Sequence, residues 1–400
     1  MSARLLILVG GILASSMGRA GPLSMEPLLG VASDYSSNPY LDATGGRAVS
    51  DVAILVNAPT SYDLDAAHFD LTPSIRYSDS GGNYASLNSN YFHLSGSAAF
   101  SSDLNTLSLT TVFGRDSSLY QNGLSSNGIG VRTDGSSAGV DWQHTMTERS
   151  LLELDAGWNR VSYSQGSAST GLVDYRYLSV SSSAVYSLSE RDKLHVLLGG
   201  GQYQALDGFT KSRNYDLQLG FDRQLTEIWT LSTSVGYARS DNSEEIFYGP
   251  FFIGTTEYGP YYLRTVESQQ KGPVYNVGLT RQGETLTLTA SASRSFRPSG
   301  FEFLSRTDLA ELDLSYTRSE RWTFGSKVTY QNTATPSLNG ALYATRYLSG
   351  QLSTDWHWTP TWVISLHTTW TNSKYGVPAF SAQSTGVSLE ISRQFLRIDL

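Results

Sequence analysis

The feature that most constrains this chain is a two-residue alternation that recurs along its length without any long apolar run. It is clearest from Tyr347 to Thr371. Leu348, Gly350, Leu352, Thr354, Trp356 and Trp358 share one phase, and Trp362, Ile364, Leu366, Thr368 and Trp370 continue it after a Thr-Pro-Thr turn. Gln351, Ser353, Asp355, His357, Ser365 and His367 occupy the other phase. Successive strand side chains point to opposite faces, so the stretch predicts a hairpin with one apolar and one polar face. Its tryptophans stand near the ends of the apolar stripe, where a ring with one apolar side and one wet edge suits a membrane boundary.

The same unit repeats from Gly30 to the end, and no sustained helical period follows residue 20. Every second connection is short: 101–105, 145–150, 187–193, 223–227, 281–285, 317–321 and 359–361. Several carry a Ser/Thr-Glu-Arg or Thr-Glu signature, at Glu148, Glu190, Glu227 and Glu320. The connections between them are long and rich in Gly, Ser, Asn and Tyr: 78–89, 114–135, 160–173, 201–212, 239–272, 296–307, 331–345 and 372–382. No linker or charge block divides the chain. No apolar run is long enough to span a bilayer as a helix, so a membrane location requires a closed sheet, which satisfies every strand hydrogen bond. Short turns on one rim and long loops on the other predict an all-β fold. It is a single antiparallel transmembrane β-barrel of about eighteen strands, with short periplasmic turns and long extracellular loops. Sixteen strands is the rival count, because boundaries read from one sequence err by a few residues. Pro73 lies on an apolar phase and lacks an N–H, which predicts a bulge there.

Residues 1–20 read as a signal peptide. Arg4 supplies the positive start, Leu5 to Ala14 the apolar core, and Gly18-Arg19-Ala20 the small residues of a cleavage site. The alternative is a short buried helix. With a signal, residues 21–400 form the barrel, and the expected location is the outer membrane of a Gram-negative bacterium. Lipid and lipopolysaccharide are then its surroundings.

No catalytic motif is present: no phosphate-binding glycine loop, no H-E-x-x-H and no G-x-S-x-G. The chain is therefore expected not to be an enzyme, and to need no metal and no cofactor. The histidines are scattered over different strands without ligand spacing. There are no cysteines, and the net charge of −8 argues against a nucleic-acid partner. The polar phase is more informative as a set. Asp70, Asp141, Glu153, Asp155, Asp216, Glu311, Asp313, Asp355 and Glu390 fall on it, against mainly Arg76 and Lys327. A lumen so lined is expected to repel polyanions and to pass neutral or cationic solutes. Equally, the acids could pair with loop arginines such as Arg294, Arg297 and Arg306, or simply hydrate the wall. The loop 239–272 holds Phe247, Tyr248, Phe251, Phe252, Tyr258, Tyr261 and Tyr262. Such aromatic faces stack on sugar rings, so the segment is a candidate carbohydrate-contacting loop; packing on itself is the alternative.

Near the C-terminus, Gly386, Leu389 and Ile391 stand in the polar-x-Gly-x-x-apolar-x-apolar form of the signal read by the barrel assembly machinery. Ile398 and Leu400 offer a second register. The two apolar phases disagree, which predicts a bulge between Ser392 and Phe395.

The signal, the G-V-A-S-D-Y-S-S-N-P-Y opening, the Ser/Thr-Glu-Arg turns and the barrel pattern together resemble one family. It is the porin-like outer-membrane β-barrel family found with bacterial exopolysaccharide and exosortase (PEP-CTERM) loci. Members often open with a Gly-x-x-x-Asp-Asn-like segment ending in Asn-Pro or Asn-Leu, as Asp34 to Tyr40 does here. The resemblance implies a component of exopolysaccharide biosynthesis or secretion, conducting polymer outward beside a periplasmic polysaccharide export protein and an inner-membrane chain-length regulator. A porin for small solutes and a plugged structural or adhesive barrel are the other two expectations.

Overall fold

The computed structural model describes residues 23–39, 41, 46, 48–80, 90–116, 133–163, 173–248, 251–253, 256–258, 262–298, 303–336, 342–375 and 380–399. Residues 1–20 and Leu400 lie outside them. Among the described residues eighteen long strands form the wall. They are β1 (Leu28–Ser36), β2 (Val49–Asn57), β3 (Ala67–Ser80), β4 (Tyr91–Ser101), β5 (Asn105–Asp116), β6 (Thr133–Thr147), β7 (Ser150–Tyr163), β8 (Tyr175–Ser187) and β9 (Asp192–Ala205). The second half comprises β10 (Thr210–Gln224), β11 (Trp229–Tyr248), β12 (Tyr262–Gln282), β13 (Leu286–Pro298), β14 (Leu304–Ser319), β15 (Trp322–Pro336), β16 (Leu342–His357), β17 (Trp362–Tyr375) and β18 (Phe380–Gln394). Each pairs antiparallel with the next, and β18 returns to β1 through Ile391↔Val31 and its neighbours. Closure pairs the edges that an open sheet would expose.

The alternation sorts the wall into two faces. Outward stand the apolar residues, such as Leu178 and Val180 on β8, Leu217 and Leu219 on β10, and Val235 and Tyr237 on β11. Leu219 is 61% and Val235 63% exposed, and other exposed apolar side chains, such as Ile75, Leu154, Leu312 and Leu389, stand on strands around the barrel. In water such a continuous belt would be costly, at about 25 cal/mol for each Å². Against lipid chains it costs nothing. Inward stand Ser, Thr, Asn, Gln and the acids.

The recurrent Ser/Thr-Glu-Arg signature has a mechanical explanation. At four of the short turns a hydroxyl accepts from the backbone N–H groups two and three residues on, while Ser319 accepts only from Arg321 and Ser102 only from Asn105. Thr147 Oγ1 accepts from Arg149 (3.2 Å) and Ser150 (3.1 Å). Ser189 does so from Arg191 and Asp192, Thr226 from Ile228 and Trp229, and Thr359 from Thr361 and Trp362. The side chain completes the turn's hydrogen bonding, so the chain reverses in very few residues.

Four expectations are corrected. Pro73 pairs with Leu94 in unbroken register. The irregularity sits on the neighbouring strand, where β2 breaks at Ala58-Pro59 before a short continuation, Thr60–Leu64. Ala58 N donates to Pro73 O (3.1 Å) there, so the second proline's missing donor forces the break. The stretch 201–212 is mostly strand, with β9 running to Ala205 and β10 starting at Thr210. Likewise β11 and β12 continue together through 239–272 as far as Tyr248↔Tyr262, because pairing satisfies a backbone that a free loop would leave to water. At the C-terminus the irregularity falls at 395–397, just beyond Gln394 and one step past the expected bulge. Ile398–Asp399 then resumes beside Leu23–Met25.

One close approach is testable. Gly236 on β11 faces inward, and a Cβ there would strike the Leu217 carbonyl oxygen and the Gln218 Cα of β10. Backbone atoms cannot swing aside. Gly236→Ala is expected to lower stability by roughly 1–3 kcal/mol, read as a smaller heat-modifiable folded band after refolding. Gly278→Ala, with nothing within 4 Å of its Cβ, is expected to match wild type.

Candidate functional site

The site is built where β13 leaves the wall. β12 pairs with β13 only as far as Tyr275↔Arg294, while β11 and β12 continue upward without it. Beyond Arg294 the β13–β14 ladder, from Ser295↔Thr307 to Pro298↔Leu304, lies against the inner faces of β7–β12. The sequence dictates this turn inward. Phe296, Phe303 and Leu304 would be stranded in water above the membrane, and folding inward buries them. Leu304 is fully buried among Val161, Tyr163, Val173, Tyr175, Tyr203 and Ala205. Phe296 packs on Ala238 and Val274. Each such side chain contributes about 1.5–3 kcal/mol on leaving water. An Arg294–Asp308 ion pair, with Asn332 Nδ2 donating to Asp308 (3.5 Å), pins the hairpin at its point of departure. The stretch expected as a free loop, 296–307, thus includes a paired ladder packed on the inner wall.

Beneath this hairpin lies a cavity of about 460 Å³ between it and the wall. Asp155, Asn159, Tyr177, Ser181, Asn214 and Asp216 line the wall side, and Arg297 the hairpin side. Ser181 Oγ donates to Asp155 Oδ2 (3.0 Å), Gln218 Nε2 to Asp216 Oδ2 (2.8 Å) and the Tyr177 hydroxyl to Asn214 Oδ1 (3.4 Å). Arg297 Nε donates to Ser295 Oγ (2.9 Å), and no carboxylate pairs with it among the described residues. A half-buried tyrosine face, amide and carboxylate acceptors and a guanidinium around one hydrated space form a surface suited to polyhydroxylated solutes.

All nine acids expected on the polar phase lie on the inner face, but the cavity gathers only two, Asp155 and Asp216. Asp141 stands opposite Asp155 in register, and Glu153 opposite Gln143 and Ser183. Asp70 accepts from Ser97 Oγ (3.1 Å) and lies 2.9 Å from His68 Nε2. Glu311 lies 3.5 Å from Lys327 Nζ, and Asp313 opposes Lys327 across the ladder. Asp355 opposes Thr323 and Ser365, and Glu390 opposes Ala32 and Ser365. The loop arginines do not neutralise this set as a group: Arg294 binds Asp308 instead.

In the aromatic segment, Phe247 and Tyr248 end β11 and Tyr262 opens β12. Phe251, Phe252 and Tyr258 lie on a separate two-stranded ladder, Phe251–Ile253 with Thr256–Tyr258, and Tyr261 lies outside the described residues. Gly386, Leu389 and Ile391 sit on β18, paired with Ser36, Ser33 and Val31 of β1. Sequence reasoning missed Tyr175, Tyr177 and Tyr203, and named Arg297 only as one of three loop arginines able to meet the acids. The available signal was three tyrosines on the polar phase of β8 and β9, opposite the lipid-facing aromatics.

A closed antiparallel wall with an apolar exterior and a polar interior defines a transmembrane β-barrel. No family model and no curated protein matches the sequence. Among solved structures the chain is similar to Pseudomonas aeruginosa OpdQ, at 11% identity over 94% of this chain and 98% of that one, with a TM-score of 0.46. It is also similar to Pseudomonas aeruginosa OpdK, solved with vanillate, at 11% identity over 94% and 99%, TM-score 0.47. A third is the ferric-catecholate import receptor Fiu of Escherichia coli, at 8% identity over 94% and 82%, TM-score 0.47. The likeness is one of barrel outline.

Proposed function

We propose that this barrel is a passive outer-membrane conduit for a neutral or cationic polysaccharide, serving an exopolysaccharide secretion system. The observation that carries the reading is the cavity under the inward hairpin. Tyr177 offers a ring face, and Asn159, Asn214, Asp155 and Asp216 offer bonding partners for sugar hydroxyls. Such contacts are weak singly, and a sugar chain slides along them rather than lodging. The acids on the inner wall favour polymers without negative charge. A periplasmic export protein delivering the chain is the partner this reading implies. A second reading, a porin for small solutes, is favoured by the opposition of Arg297 to Asp155 and Asp216, since a transverse field orients small dipoles.

Single-channel conductance separates the two. A neutral polysaccharide is expected to block the wild-type channel, and Tyr177→Ala is expected to weaken that block while leaving ion conductance intact. Conductance indifferent to polymer but reduced by monosaccharides sinks the conduit reading and leaves the porin. Charge is tested separately: the double variant Asp155→Asn/Asp216→Asn is expected to lose most of the cation preference, read as a reversal potential moving toward zero in a salt gradient.

A further inference from the structure

We infer that the outward face of β10–β12, just above the apolar belt, binds the phosphate groups of the outer-leaflet lipid, lipopolysaccharide. The inference rests on the outer-membrane placement proposed above, with the long connections outside the cell.

The phase places the site. Lys211 and Arg213 share the outward phase of Tyr215, Leu217 and Leu219 on β10, and Arg239 shares that of Val235 and Tyr237 on β11. The cations therefore stand on the lipid side, directly beyond the two exposed tyrosines that end the belt. Lys211, Arg213 and Arg239 line one outer cavity of about 570 Å³ together with Gln202, Gln269 and two carboxylates, Asp241 and Glu267. This level of a membrane protein meets headgroups.

Cations outnumber carboxylates there, Lys211, Arg213, Arg239 and the adjacent Lys271 against Asp241 and Glu267. Lys211, Arg213 and the neighbouring Lys271 have no ion-pair partner among the described residues. Arg239 is engaged by Asp241 (2.9 and 3.1 Å), which also accepts from Gln269 Nε2 (2.9 Å). Yet Arg239 stands directly opposite Lys271 in the ladder, and beyond β9 Arg160 on β7 stands directly opposite Arg176 on β8. Like charges face to face across a ladder are destabilising without an anion between them. Guanidinium groups favour phosphate through paired N–H donors. A free phosphate would fit the cations alone. A phosphorylated lipid fits the cations and the belt below them together, because its chains continue down over Tyr215 and Leu217.

The test is a titration of the full-length barrel in detergent, with thermal unfolding as the readout. Lipopolysaccharide, the same lipid with its phosphates removed, and inorganic phosphate are the three probes. Intact lipid is expected to raise the unfolding temperature, and the other two to leave it unchanged. In Lys211→Gln/Arg213→Gln/Lys271→Gln the concentration needed is expected to rise about a hundredfold, at roughly fivefold for each cation removed. Arg213→Gln alone, at an exposed side chain, gives the same test with little risk to folding. Arg318→Gln/Arg321→Gln, at the opposite rim, is expected to behave as wild type. An equal response from wild type and both Arg213 variants overturns the proposal. So does stabilisation by dephosphorylated lipid, and so does an equal effect of inorganic phosphate. Normal conductance without a lipid response rejects this site but not the conduit; the reverse pattern rejects the conduit but not this site.

Discussion

Replacing Leu304 with aspartate is expected to raise the conductance of the barrel severalfold and to abolish block by polysaccharide. Leu304 is fully buried in an apolar socket formed by Val161, Tyr163, Val173, Tyr175, Tyr203 and Ala205. A carboxylate there has no partner, and burying an unpaired charge costs several kcal/mol after relaxation. The hairpin has an easier course. Beyond Arg294 it is free of β12, so its tip lifts off the wall at the loss of the Leu304 and Phe296 contacts, about 1.5–3 kcal/mol each. The barrel stays folded because none of its wall pairing passes through the tip. The measurement is single-channel conductance with and without polymer, beside Leu304→Met, which keeps the apolar contact and is expected to conduct as wild type. Unchanged conductance in Leu304→Asp, with folding verified by heat-modifiability, would show that the hairpin does not narrow the path.

The contrast between Leu304 and the wall explains what could be read from the sequence. Each wall strand declares its faces locally: Leu217 and Leu219 against Asp216 and Gln218 is a statement about adjacent residues. The turns declare themselves too, since Thr147, Ser189 and Thr226 close their own reversals. Strand number follows from such signals and agrees with the structure; the short turns do too, whereas several of the expected long connections, 201–212 above all, are largely strand. The hairpin does not work this way. Phe296 and Leu304 lie in a Gly- and Pro-bearing stretch that reads as a loop; Leu304's partners lie around β7–β9, far away in sequence, and Phe296's on β11 and β12. Alternation says which face a residue is on, not what covers that face. Tyr175, Tyr177 and Tyr203 on a polar phase hinted that something apolar would settle there, but not which loop would supply it.

The same limit applies to the acids. Their inward phase was legible at every one of the nine positions. Which of them face open lumen was not, because that depends on the hairpin above. Asp155 and Asp216 become the pair beside Arg297 only through the fold of a segment some eighty residues or more downstream. Glu311 instead meets Lys327 on the next strand, a pairing local enough to have been foreseen.

Arg76→Met is expected to cost the barrel about 3–5 kcal/mol, enough to leave a large fraction unclosed. Arg76 on β3 lies buried on the inner face, in an ion pair with Asp34 of β1 and 3.7 Å from Asp51 of β2. The three residues join the three strands at which the sheet must begin to close, and Glu390 of β18 stands inward beside them in the strand that completes the circle. Methionine fills a similar volume but leaves two carboxylates buried with no cation between them, and water cannot easily reach either. The folded, heat-modifiable band is the readout, with thermal unfolding of whatever closes. Because the cost arises from uncompensated charge rather than lost volume, the triple variant Arg76→Met/Asp34→Asn/Asp51→Asn is expected to regain most of the stability. If the triple variant is as poorly closed as the single one, the guanidinium holds the seam by its shape and hydrogen bonds rather than by its charge.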